Sequence, residues 1–285
     1  MIKAADPATE HARLSALMQG YLAALVAREA RPLRPGARLR CTENTCELPP
    51  GSGVARTIRA LKPGGHTFVD AAHGQVEYWG AIDEMGAEAI FGVRLRVEGL
   101  LVSEIETLVV RGGGSFFEPS VVTSPAPQFH SIIPPAERTP RQELIDIANV
   151  YFDAIERSDG TRLPVADDCV RLVNGVTDSR MDAAAVDPAE AHRSLGVAEQ
   201  MSARHYAYIE ALRARRYPVV DEARGIVVAH VMFDHPGDLP RADGTLPFRA
   251  PNSMLAFEAF KVRGGVLREV WAIGTALPYG IGSGW

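Results

Sequence analysis

Residues 215–237 read RRYPVVDEARGIVVAHVMFDHPG, and the fold turns on how this stretch is read. Tyr217 to Val220 is short and rich in β-branched residues. Asp221-Glu222-Ala223-Arg224-Gly225 is turn chemistry, with Gly225 free to take a positive φ. Ile226 to Phe233 is a long β-prone run. His235-Pro236-Gly237 ends it, because Pro236 has no N–H to give to a ladder. The pattern predicts a β-hairpin. Residues 69–84, VDAAHGQVEYWGAIDE, repeat it: Asp70 matches Asp221, Gly74 matches Gly225 and Asp83 matches Asp234. Each pair lies 151 positions apart (221 − 70, 225 − 74, 234 − 83), so the hairpin is expected twice.

Working outward, the same order of elements surrounds both hairpins. Asp6-Pro7 caps a first helix whose buried stripe is expected at Leu14, Leu17, Tyr21 and Leu25. Pro32 to Gly36 should end it. Arg38 to Leu48 is a short strand-like run, and Arg56 to Leu61 suggests a brief helix. Gln75 to Met85, Glu88 to Val97 and Leu101 to Arg111 read as strands, closed by Gly112-Gly113-Gly114. In the second half, Thr139-Pro140-Arg141-Gln142 reads as a capping box before the stripe Leu144, Ile147, Tyr151, Ile155. Arg171 to Val176 is the short strand, Asp187-Pro188 caps a helix, and a further helical run is expected from about Ala198 to Arg215. Pro236 to Pro251 is a long polar loop. Met254 to Val262 and Val266 to Thr275 are the last strands.

Further matches support a duplication. Tyr21 pairs with Tyr151 and Asn44 with Asn174 at an offset of 130, and residues 93–106 align with 258–271 at an offset of 165. The rising offset implies second-half insertions of 21 residues (151 − 130) before the hairpin and 14 (165 − 151) after it. Helices first and antiparallel strands after is the α+β pattern. The expectation is two cone-shaped domains, each a curved antiparallel sheet wrapped on helices: residues 1–118, a linker at 119–138, and residues 139–285.

Composition excludes several classes. With 46% hydrophobic and 23% charged residues the chain is globular. A net charge of −5 without a basic block argues against nucleic acid and anionic membrane as partners. Cys41, Cys46 and Cys169 are an odd set without metal spacing and read as reduced thiols, which predicts a cytoplasmic protein. The first 15 residues lack an apolar h-region, which predicts no signal peptide. There is no P-loop, GxGxxG, HExxH or GxSxG, and no metal or other cofactor is expected.

This order of elements resembles the nuclear-transport-factor-two-like superfamily, also called SnoaL-like, as a tandem pair. RRYPVVDEARG, FDHPG, FKVRGGVLREV and the terminal PYGIGSGW are similar to a group of bacterial and fungal tandem domains. The resemblance implies a fold and a choice of chemistries. Some sphingomonad members of the wider superfamily are cofactor-independent lyases that release formaldehyde from lignin-derived aromatic dimers. Others are polyketide cyclases, dehydratases, epoxide hydrolases and ketosteroid isomerases, and many are not enzymes. No lyase residue set carries over onto numbered positions.

The leading expectation is a cofactor-independent lyase that releases formaldehyde from a phenolic compound such as a lignin-derived dimer; the alternatives are a non-catalytic binding or assembly protein, and an isomerase or dehydratase of polyketide- or steroid-like substrates. The partner expected is a small hydrophobic or aromatic substrate, with homo-oligomerisation open. On a helix from 198 to 215, Met201, His205, Tyr208 and Leu212 share a face, which puts an imidazole and a phenol into the cone. The competing reading is a core histidine beside a core tyrosine. His230 stands where the first copy has Trp79; it shares a strand face with Met232 and Asp234, and the sequence leaves open which face is inside. His205, Tyr208 and His230 are the candidate proton-transfer groups. Arg94 is the candidate phenolate partner, and Trp79, Met232, Trp271 and Tyr279 are candidate substrate contacts. Asp234 is either a general base or a turn residue. His66 and His73 flank a turn and are expected to be exposed. The second cone is expected to hold the site.

Overall fold

The computed structural model describes residues 6–29, 35–112 and 116–285. The expectations that fall on Pro32 to Arg34 and on Gly113-Gly114 therefore lie outside the described residues. The chain divides into two compact units, one running to Pro125 and including Gly284–Trp285, the other Ala126–Ser283.

In the first unit, helix α1 (Pro7–Val26) precedes strands β1 (Pro35–Glu43) and β2 (Cys46–Glu47), a turn of helix α2 (Val54–Thr57), and strands β3 (Ile58–Leu61), β4 (His66–Asp70), β5 (Gln75–Glu84), β6 (Ala87–Glu98) and β7 (Leu101–Arg111). Helix α3 (Pro119–Val122) follows. The sheet runs β2-β1-β7-β6-β5-β3, with β4 also on β5; β1 and β7 are parallel and the other pairs antiparallel. Asp6 caps α1 through a hydrogen bond from the Thr9 N–H, with Pro7 in the first turn. The buried stripe is Leu14, Met18, Leu22 and Leu25. Leu17 and Tyr21 are half-buried, so the helix is rotated slightly from the stripe expected.

The second unit repeats this order. Helix α4 (Arg141–Arg157) precedes β8 (Val165–Val173), β9 (Val176–Thr177), a 3₁₀ segment (Pro188–Ser194) and helix α5 (Val197–Ser202). Strands β10 (Ala211–Asp221), β11 (Ile226–His235), β12 (Asn252–Arg263) and β13 (Val266–Pro278) follow. The sheet order is β10-β11-β12-β13-β8-β9, again antiparallel apart from one parallel pair, β8 on β13. The architecture of each unit is α+β, a cone of sheet closed by its helix.

Local devices coincide at the offsets read from the sequence. Strand β5 shifted by 151 is β11, and β6 shifted by 165 is β12. Asp70 Oδ1 accepts the N–H of His73 at 3.2 Å, and Asp221 Oδ1 accepts that of Arg224 at 3.0 Å. Gly74 and Gly225 have φ of 62° and 59°. A Cβ on either would clash with the carbonyl oxygen of Val97 or Val262, so only glycine fits. Asn44 bonds both backbone groups of Val109, and Asn174 bonds both of Gly274.

Two expected helical features are corrected. The capping box at Thr139 does not form: Pro140 is the residue before the helix, and Thr139 Oγ1 instead accepts the Gly265 N–H at 3.0 Å. The helix expected from 198 to 215 stops at Ser202. Arg204 takes φ 58°, and Ala211 onward is drawn into β10, whose residues pair with Asp234 through Ile226 of β11. Ala, Leu and Arg favour a helix, but tertiary pairing overrides so weak a preference.

The core of the second unit gathers α4 (Leu144, Ile147, Tyr151, Phe152, Ile155) against Val227, Ala229, Val231 and Phe233 of β11 and Phe260 of β12. This settles the alternation: the odd-numbered residues of β11 face the cone. His230, Met232 and Asp234 point the other way. In the first unit, α1 packs on Val76, Tyr78, Phe91, Val93, Leu95 and Val109.

Candidate functional site

The cone interior of the second unit is mostly apolar, and several of its buried polar residues lie together. Cross-strand register puts Glu258 opposite Ala229, and Ala272 opposite both Glu258 and Val173, so Glu258 and Arg171 share the inward face. Tyr151 comes to the same place from α4. Its ring packs edge-on against Phe260 at 5.0 Å. Its hydroxyl is electrostatically coupled to both Glu258 and Arg171. The Arg171 guanidinium lies over the Tyr206 ring at 4.8 Å, pairs with Asp178 and donates to Gln200 Oε1 at 2.8 Å. Gln200, on α5, also accepts from the Tyr206 hydroxyl at 3.0 Å and donates to the carbonyls of Asp178 and His192. His192 Nε2 sits 3.6 Å from Asp178 Oδ1, and its ring stacks on His205 with centroids 3.6 Å apart. Contacts therefore run Arg171–Asp178–His192–His205, with Glu258 and Tyr151 buried beside Arg171.

Burial acts differently on its two carboxyls. Glu258 is 4% exposed, and desolvation pushes it up to about 8, so it is protonated at neutral pH. Asp178 is equally buried, but the charges of Arg171 and His192 outweigh the desolvation and hold it below the usual carboxylate range. His205 is pushed down to about 3 by desolvation and by the neighbouring His192 and Arg241. Tyr151 is raised by burial. Three atoms of the cluster, Arg171 Nε, Asp178 Oδ1 and Glu258 Oε2, are buried without a hydrogen-bond partner among the described residues. Buried polar atoms are nearly always paired, so an unpaired set in one place calls for an explanation.

Of the residues singled out in the sequence, His205 and Tyr208 belong to this neighbourhood. They follow α5 on a turn rather than sharing a helix face. Tyr208 lies 6.2 Å from His205 and 5.6 Å from His235, which is also inward-facing. The others lie elsewhere. His230 is buried on the opposite sheet face, stacked on Phe257 at 3.6 Å, so it does not converge with His205. Met232 shares that face. Asp234 is tied to Arg213 and Ser253. Arg94 alternates with the core residues Val93 and Leu95, faces away from the first cone, and is committed to Glu104 at 2.8 Å and Glu106 at 2.9 Å. Trp79 donates to Glu77 at 2.6 Å and packs on Phe68. Trp271 donates to Glu269 at 2.6 Å and stacks on Phe129 at 3.9 Å. Tyr279 is exposed and bonds Glu210. His73 is exposed as expected, but His66 is only 5% exposed, bonded to backbone at Val122 and Ser124 and pushed down to about 4 by burial.

Sequence reasoning passed over Glu258, Asp178, His192, Gln200 and Tyr206. One signal was present: Glu258 interrupts MLAFEAF at an inward position of an otherwise apolar strand, where a lone carboxylate costs free energy unless it has a purpose.

Residues 137–274 match a family described as a domain of unknown function, DUF8021. No curated protein matches the sequence. Among solved structures, AusH from Aspergillus nidulans is similar at 12% identity, over 48% of this chain and 86% of that one, with a TM-score of 0.31. A SnoaL-like polyketide cyclase from Agrobacterium tumefaciens is similar at 18% identity, over 46% of this chain and 91% of that one, with a TM-score of 0.29. Among the described residues no helix is long and apolar enough to cross a membrane.

Proposed function

We propose that the second unit is an acid–base enzyme that moves a proton on an enolisable carbonyl compound, the chemistry of an isomerase, dehydratase or cyclase of polyketide- or steroid-like substrates. The observation that carries this reading is the pair of buried carboxyls whose surroundings drive them apart, Asp178 ionised and Glu258 protonated, joined through Arg171 and Tyr151. Such a divergence assigns base and acid. Asp178 takes the proton from the carbon next to the carbonyl, and the C–H electrons move onto the carbonyl oxygen. Glu258, still protonated, donates a hydrogen bond to that oxygen beside the Tyr151 hydroxyl. Asp178 then returns the proton to another carbon of the conjugated system. Arg171, with His192 beside it, holds the Asp178 carboxylate ionised against desolvation. Each positioned proton-transfer group contributes roughly 10²–10⁴ in rate.

The formaldehyde-releasing lyase reading needed His205, Tyr208 and His230 around one substrate with Arg94 at its phenolate. His230 and Arg94 face away from the cones, so that reading loses its residues. On a tandem reading, the first unit has Cys41 where the second has Arg171 (171 − 130) and Val93 where the second has Glu258 (258 − 165), which supports placing the site in the second unit. The test is hydrogen–deuterium exchange at carbon in D₂O, followed by ¹H NMR on a panel of enolisable aryl ketones and β,γ-unsaturated ketones. Exchange above the buffer rate, lost in Glu258→Gln and Asp178→Asn, is expected. A panel that exchanges no faster with protein than without it sinks the reading.

A further inference from the structure

We infer that the second cone takes a planar aromatic acid, whose carboxylate is bound by Arg241 of the loop between β11 and β12. This rests on the same interior site as the proposed function and names the substrate's charge and shape. Tyr208, His235 and Phe248 gather there: His235 lies 4.6 Å from Phe248 and 5.6 Å from Tyr208, with Phe248 5.8 Å from Tyr208. Three rings at these spacings pack against one another as one aromatic face, and Phe248 leaves its edge of that face exposed to a conjugated ring. Arg241 lies across the same group, its guanidinium 5.4 Å from the Tyr208 ring centroid.

Two neighbouring cations have their anions. Arg171 is neutralised by Asp178, and Arg213 at the end of the strand by Asp234. Arg241 makes no ion pair among the described residues, and its Nε is buried without a hydrogen-bond partner. A guanidinium keeps five donors in a rigid fork that matches a carboxylate with two parallel bonds. Its position is fixed from behind: the Arg241 N–H bonds the Thr245 carbonyl at 2.8 Å, the Gly244 N–H bonds the Arg241 carbonyl at 2.9 Å, and Asp243 accepts from Thr245 at 2.8 Å. The loop thus presents a cation that has no ion pair among the described residues, beside a partly exposed aromatic face. The Asp178–His192–His205 cluster begins at the next ring, 6.2 Å from Tyr208.

Titration calorimetry with naphthalene-2-carboxylate and naphthalene-2-carboxamide tests this, since the two probes share a shape and differ in charge. Wild type should bind the carboxylate at least tenfold more tightly than the amide. Arg241→Gln should reduce that preference to less than threefold while leaving the amide affinity unchanged, and Arg241→Lys should retain part of it. Circular dichroism establishes that both variants are folded. Glu258→Gln should keep the full preference, so failure of the exchange chemistry and failure of the anion site are read separately. Equal binding of the two probes to wild type, no binding of the carboxylate, or an undiminished preference in Arg241→Gln overturns the inference.

Discussion

Glu258→Gln isolates the cost of keeping a carboxyl inside the second cone. Burial raises Glu258 from an ordinary 4.5 to about 8, so the folded protein holds this proton more tightly than the unfolded chain does. A group raised in this way favours the folded state fully below pH 4.5. That contribution is lost as pH rises from 4.5 through 8, and the loss is complete above it. The window spans roughly 3.5 pH units, and at about 1.4 kcal/mol per unit the penalty at pH 9 is about 5 kcal/mol, an upper bound where the site relaxes. Glutamine keeps the shape and does not titrate. Urea unfolding of wild type and Glu258→Gln at pH 5, 7 and 9 measures the difference. The substitution should gain on wild type by several kcal/mol between pH 5 and 9 while abolishing carbon exchange. Stability profiles that stay parallel across this range would refute the reasoning, because they would mean that Glu258 ionises in the folded protein as it does in the unfolded chain.

The remaining expectations use other sites. Arg171→Met strands Asp178 in the core and should cost ~3–5 kcal/mol by denaturant unfolding, with Asp178→Asn in the same chain recovering part of it. His205 is pushed down to about 3, so the folded state excludes its proton; its contribution is present above pH 6.5 and is lost as pH falls toward 3, and His205→Gln should flatten the acid limb of the stability curve. His230→Ala should lower the melting temperature, because it removes the stack on Phe257, and should leave carbon exchange within a factor of two of wild type. Gly225→Ala should destabilise by ~2 kcal/mol or more, from a positive φ and a clash with the Val262 carbonyl, measured by thermal unfolding.

Much of the architecture was legible because it is written in local chemistry. The Asp–Gly turn of each hairpin and the proline stop after β11 are effects of neighbouring residues on one another. The site was less legible because it is assembled from residues far apart in sequence. Tyr151, Arg171, Gln200 and Glu258 come from four elements and Asp178 from the loop after β9, and no motif spacing links them. Arg171 alone looks like a surface charge, and only its position inside the cone shows otherwise. His205 and Tyr208 were located through a helical period that the chain does not follow, and they reached the site by a turn instead. His230 shows the limit of alternation: a period of two separates the faces of a strand, but contacts with α4 decide which one is the inside.

The parallel pairing of β8 with β13 governs how the second unit comes into being. Val170 lies beside Glu269 and Arg171 beside Val270, so the strand that carries Arg171 finds its neighbour about a hundred residues later in the chain. On the ribosome, β8 and α4 emerge early and must wait while the hairpins form, since the register of β8 is set only when β13 is released. Long-range closure of this kind makes folding slow and leaves an edge strand uncovered in the meantime. Partial chains that end before β13 would then be substrates for chaperones or proteases, and the charged cluster would assemble last, after the apolar cone that surrounds it.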